Sequence, residues 1–206
     1  KYFREFGIKV WEVMLVSRMA SSYERLGKNK EAVENAEIVS TIEETVFERA
    51  SEKIKKFYQD IMKSQKALTF LTIARIYENT GDFDNALIYQ EKSLSYFEKS
   101  SDKNAKSAIS SIIGSIAQIY QFKYNYDKAL EYLNRALKIA EESGDKPQIA
   151  RLQNSIGLMF GEKQDKQKKL EFYEKSLATF RSLKDGEYFD KDFDKVTEAN
   201  VLGNIG

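Results

Sequence analysis

Apolar residues recur every three or four positions along almost the whole chain, the period of a helix face, and strand-type alternation is not evident anywhere. Residues 28–80 hold neither Gly nor Pro, and Pro147 is the single proline in 206 residues, so long uninterrupted helices can form. Within this periodicity one small pattern returns: a large aliphatic residue, a small residue, and an aromatic three positions after the small one. It occurs as Met19-Ala20 with Tyr23, Ile73-Ala74 with Tyr77, Ile116-Ala117 with Tyr120, and Ile156-Gly157 with Phe160. Ile205-Gly206 would start a fifth copy, cut off by the end of the chain.

Twelve residues past each anchor a second small residue follows at Ala32, Ala86 and Ala129, while Lys169 departs from the pattern. Further on come Ser93-Leu94, Ala136-Leu137 and Ser176-Leu177, against Val39-Ser40 in the first copy. A turn lies between the two small residues, marked by Gly27 and Gly81 in the first two copies and by the glycine-free YNYDKA and KQDKQKK in the others. These features predict helix–turn–helix units: small residues let two helix backbones pack closely, and the aromatic fills the gap between adjacent units.

These residues resemble the tetratricopeptide repeat, which carries a small residue and an aromatic on its first helix, helix A, and a small residue on its second, helix B. The resemblance implies an all-α fold, a right-handed superhelical solenoid of about four units plus a truncated fifth. Anchors 43 and 40 residues apart exceed the 34 of the shortest form, similar to the long-helix variant of kinesin light chain-like proteins and bacterial peptide-responsive regulators. The expected units are 8–65, 66–102, 105–143, 147–183 and 193–206, within one repeat domain belonging to a longer protein.

Two junctions are longer still, at 54 residues from Ala20 to Ala74 and 49 from Gly157 to Gly206. In the first, Ile38, Ile42, Val46, Ala50, Ile54, Phe57 and Ile61 keep the helical period. They predict a long helix B in the first unit, or an extra helical segment, between about Lys30 and Gln65. The second, residues 183–195, reads as a loop whose Tyr188, Phe189 and Phe193 either tack it onto the array or form a lid over a ligand.

Composition narrows the chemistry. The 33 Lys plus Arg and 32 Asp plus Glu leave a net charge of +1, which argues against nucleic-acid or membrane-surface binding. With no Cys and no His, the usual nucleophile–base pairs and thiolate or imidazole metal sites are unavailable, and a cytoplasmic setting is expected. Glycine-rich phosphate loops do not occur. The acids at Asp190, Asp192 and Asp194 would make a calcium loop only with Gly and Glu where Lys195 and Val201 stand. Glu43-Glu44, Glu141-Glu142, and Asp82 with Asp84 read as solvated helix faces. No enzyme, cofactor or metal is expected.

The resemblance implies that helix A lines a concave groove, so its non-packing residues would face a ligand. These are Arg18, Ser21 and Glu24; Thr72, Arg75 and Glu78; Ser115, Gln118 and Gln121; and Arg151, Asn154 and Ser155. They offer amide and guanidinium donors suited to an extended peptide backbone or its carboxylates. The family's chaperone-tail clamp uses Lys, Arg and Asn at such places; here Ser, Thr and Gln prevail, and Asn154 alone matches the asparagine ladder of the kinesin light chain-like repeats. The expected function is a non-catalytic scaffold binding a protein or peptide. The alternative is a sensory segment of a larger bacterial-type signalling protein, such as a histidine kinase, transcription regulator or phosphatase. Self-association through the terminal repeats is a further expectation.

Overall fold

The computed structural model describes residues 2–41, 52–99, 105–183 and Gly203. The helices, in chain order, are α1 (Tyr2–Arg25), α2 (Asn29–Thr41), α3 (Glu52–Thr80), α4 (Phe83–Glu98), α5 (Ala105–Phe122), α6 (Tyr126–Ser143), α7 (Lys146–Glu162) and α8 (Lys166–Arg181). They divide into two compact units, Lys1–Ala105 and Lys106–Gly206, each holding two antiparallel helix pairs.

Every pair is closed by the same turn. Seven residues past the anchor the backbone enters the left-handed region, at Gly27, Gly81, Tyr124 and Gln164 with φ between 57° and 77°. The next amide then reaches back to the carbonyl of the anchor's aromatic: Lys28 to Tyr23, Asp82 to Tyr77, Asn125 to Tyr120 and Asp165 to Phe160, each at 2.9 Å. This satisfies a carbonyl that the end of helix A leaves open. Helix B starts at once, because the side chains of Asp82, Asn125 and Asp165 accept from the amides of Asn85, Lys128 and Lys168. The first turn has Lys28 at that position, and a lysine side chain has no acceptor. Gly144 in αL and the Asp145 cap on Gln148 make the corresponding bend between α6 and α7.

Small residues pack where the helices cross. Ala20, Ala74, Ala117 and their counterparts Ala32, Ala86 and Ala129 are buried to 1% exposure or less. In the fourth pair the anchor is Gly157, and a side-chain carbon there would fall 2.6 Å from the ring of Tyr173 and 3.3 Å from the Lys169 carbonyl. The Tyr173 ring on α8 thus leaves room only for hydrogen at this point of α7, while the Lys169 side chain lies along Gly161 instead.

The anchor aromatics pack within a pair as well as toward neighbours. Tyr77 stacks on Tyr89, Tyr120 on Tyr132 and Phe160 on Phe172, with centroids 5.3–5.7 Å apart and rings 18–24° from parallel. Each stack spans helix A and helix B of one unit, and Tyr77 in addition packs on the cluster that holds Ala20 and Ala36 of the preceding pair; Tyr23 has Asn35 at the equivalent place. Lys128 and Lys168 sit over the Tyr120 and Phe160 rings at 5.1 and 5.0 Å.

A second contact recurs and is invisible to simple matching of like residues. Seven residues before the anchor and nineteen after it, one helix carries Ser and the other Ala. The serine hydroxyl donates across the pair to the alanine carbonyl: Ser93 to Ala67, Ser110 to Ala136 and Ser176 to Ala150, at 2.7–2.9 Å. All six residues are buried to 0%. The first pair has Val13 and Val39, buried without hydroxyls.

The first insertion is resolved in favour of the second pair. Residues 52–65, expected in the first unit, are the N-terminal half of α3, a 29-residue helix about 44 Å long at 1.5 Å per residue. Their apolar period is that of helix A in the second pair, for which Glu52 opens the helix. Residues 42–51, with Ile42, Val46 and Ala50, lie outside the described residues, as do Tyr188, Phe189 and Phe193.

Candidate ligand clefts

In the second unit α5 and α7, the helices A of its two pairs, enclose a cleft of about 580 Å³. Ser115, Gln118, Gln121, Arg151 and Ser155 lie along it, as do Gln148, Ser111 and Gly114. Asn154 is half-buried and does not line it. Apolar surface comes from Leu152, Leu158 and Phe122, the last 51% exposed. In the first unit α1 and α3 frame a similar cleft of about 520 Å³, where Arg18, Ser21 and Thr72 are joined by Arg25, Gln65 and Leu68.

The same register builds both walls. Three residues before its anchor α1 carries Ser17, whose hydroxyl lies 2.8 Å from that of Thr69, and α5 carries Gly114 against Leu152. Helix A therefore meets the next helix A at fixed positions, and the residues one turn further on face the cleft.

Three residues expected in the groove are held by their own neighbours. Arg75 makes a two-pronged pair with Glu24, Nε to Oε1 and Nη2 to Oε2, both at 2.7 Å. Glu78 accepts from Gln90 Nε2 at 2.8 Å, and burial raises its carboxyl above the ordinary value against the opposing pull of Gln90 and Arg75. Neither cleft counts a carboxylate among its lining residues.

Sequence reasoning missed Gln148, Gly114 and Phe122. The signal that would have found Gln148 is position: it lies one turn N-terminal to Arg151 on the same face of α7, and a helix face is read at i, i+3 and i+4. Gly114 interrupts an apolar helix without a turn to explain it, a pattern that points to close approach.

Beyond the clefts, the described residues hold no group of three or more acidic, His or Cys side chains able to bind a metal ion. No helix among them is long and apolar enough to cross a membrane.

Two family models described as tetratricopeptide repeat match the sequence, over residues 67–100 and 108–182. The chain is a tetratricopeptide-repeat protein. Such repeats are protein-interaction scaffolds, and the all-α repeat fold is shared with solved structures of low sequence identity. A signal transduction ATPase with a tetratricopeptide repeat sensor, from Pyrococcus horikoshii, matches at TM-score 0.73 and 15% identity. That match covers 96% of this chain and 27% of the other. Putative kinesin light chain repeats from Podosopora anserina match at TM-score 0.61 and 17% identity, over 93% of this chain and 86% of theirs. The apo form of RapI matches at 0.67 and 17%, over 93% and 63%. At these identities the likeness is one of fold. No curated protein matches the sequence. The tetratricopeptide match begins at 67 and resumes at 108, so the first helix pair, whose turn lacks a side-chain cap and whose pin is Val-Val, falls outside it.

Proposed function

We propose that this tetratricopeptide-repeat protein is a non-catalytic scaffold that holds an extended peptide, or an extended segment of a partner protein, in the clefts between successive helices A. The observation that carries this reading is the lining of the second-unit cleft: hydroxyls, three glutamine amides and one guanidinium along about 15 Å of two helices. Amide side chains both donate and accept, as main-chain peptide groups do, and about four or five extended residues span that length. Arg18, Ser21 and Thr72 would serve the first-unit cleft in the same way.

A photo-crosslinking residue placed at Gln118 in the full chain should give adducts with a peptide or protein partner in the host cell. The same residue at the exposed Glu131 of α6 should not. Equal adducts from both positions would remove the cleft from the proposal.

A second reading, a sensory segment of a larger signalling protein, is supported by the likeness to the repeat sensor of the Pyrococcus horikoshii ATPase and to RapI. Reading the gene on both sides of residues 1–206 separates the two: a kinase, phosphatase, nucleotide-binding or DNA-binding segment favours the sensor, and further repeats alone favour the scaffold.

A further inference from the structure

Gln148 is only 8% exposed and lines the second-unit cleft, yet its side-chain amide has no hydrogen-bond partner among the described residues; only its backbone amide is engaged, by the Asp145 cap. The body of the side chain is buried while its amide stays open on the cleft side, so a polar group of a ligand in the cleft would be its partner. Gly114 keeps it open. A side-chain carbon at that position would stand 3.8 Å from Gln148 Nε2 and 3.3 Å from Leu152 Cδ2, narrowing the approach to the amide. Glycine in the middle of an 18-residue helix is unfavourable in itself, so helix propensity does not account for it. At the matching place on α1 the wall is self-satisfied, Ser17 against Thr69 at 2.8 Å.

Arg151 follows one turn after Gln148. Its Nε donates to the Pro147 carbonyl at 3.3 Å, and its two terminal nitrogens have no partner among the described residues. Arg75, by contrast, is clasped by Glu24. With no carboxylate in the lining, the exposed guanidinium fork of Arg151 and the amide of Gln148 lie one turn apart on α7 at one end of the cleft. Seven residues further along α7, about 10 Å at 1.5 Å each, Leu158 faces the cleft with Phe122 of α5.

We infer that this end of the cleft is a carboxylate seat: the peptide it takes carries an Asp or Glu side chain on Arg151 and Gln148, and a large apolar side chain about three residues away against Phe122 and Leu158. Three extended residues cover about 10 Å, which matches the separation of the two ends. A planar carboxylate can accept from both terminal nitrogens of Arg151 while Gln148 donates from below, a charge-assisted arrangement that a neutral side chain cannot reproduce. The inference rests on the reading of the clefts as peptide sites.

The test pans the full chain against a random library of N-acetylated, C-amidated hexapeptides, with a parallel library bearing free C-termini. The amidated library should enrich Asp or Glu paired with Leu, Met or Phe three positions away. Enriched peptides should bind Arg151→Gln and Gln148→Leu at least about tenfold more weakly, with unchanged circular dichroism. A consensus without acid, or an acidic consensus indifferent to Arg151→Gln, overturns the seat and leaves the cleft reading standing. Enrichment confined to free C-termini also overturns it, because the carboxylate is then terminal. Enrichment in neither library removes the peptide reading itself and the seat with it.

Discussion

Tyr124 and Gln164 occupy the left-handed turn position that glycine fills in the first two pairs, with φ of 57° and 61°. For a residue with a Cβ that conformation costs roughly 1–2 kcal/mol, partly offset because glycine loses more chain entropy on folding. Gln164→Gly should therefore stabilise the protein by about 0.5–1 kcal/mol, read as a higher urea midpoint with an unchanged slope. Gly157 is the opposite case. A methyl there meets the Tyr173 ring, itself 1% exposed, and Gly157→Ala should destabilise by about 1–3 kcal/mol in the same experiment. Tyr89 supplies a pH signature. Burial first, then the 2.5 Å hydrogen bond to Glu37 and its charge, hold this hydroxyl neutral well above the usual tyrosine value of 10.0. A phenol favoured in its neutral form contributes stability that is intact below about pH 10 and lost as pH climbs through the folded-state value. The thermal midpoint should fall above that pH, and less steeply in Tyr89→Phe.

At the scale of helices, the serine pins show what the sequence could and could not reveal. The anchors at Ala20, Ala74, Ala117 and Gly157 were legible because every copy uses a small residue for the same reason, close backbone approach. The pins were not, because the physical requirement is one hydroxyl per pair rather than serine at a given position; Ser110 and Ser176 satisfy it from opposite helices. The start of α3 escaped for a different reason. Periodicity marks a helix face without saying which neighbour that face serves, so Ile54, Phe57 and Ile61 fitted helix B of one pair as well as helix A of the next. In the clefts, residue type and helix face pointed to Gln118, Gln121 and Arg151, whereas the engagement of Arg75 by Glu24 spans 51 residues and leaves no local trace. A double-mutant cycle tests the pins. Ser176→Ala should lose about 1 kcal/mol, and adding Ala150→Ser should recover part of it by donating in the reverse direction, as Ser110 already does. No recovery would mean that the hydroxyl acts through α8 alone.

Across the whole chain the two compact units each carry their own core and their own cleft. In repeat arrays stability is largely a sum of local and nearest-neighbour terms. Gly157→Ala should accordingly speed amide hydrogen exchange in α7 and α8 while leaving α1 to α4 protected; uniform acceleration would mean a single cooperative block. The alternating Ser and Ala also bear on how such a chain reaches its native pairing. Helices of similar shape can in principle dock with the wrong mate, α5 on α4 or α3 on α6. The first of these exchanges would face Ser110 with Ser93 across a dry contact, and the second Ala67 with Ala136, with no hydroxyl to share. The second, third and fourth pairs thus each carry a small chemical address that a neighbour's helix fails to answer, so copies of one motif remain distinguishable to the folding chain.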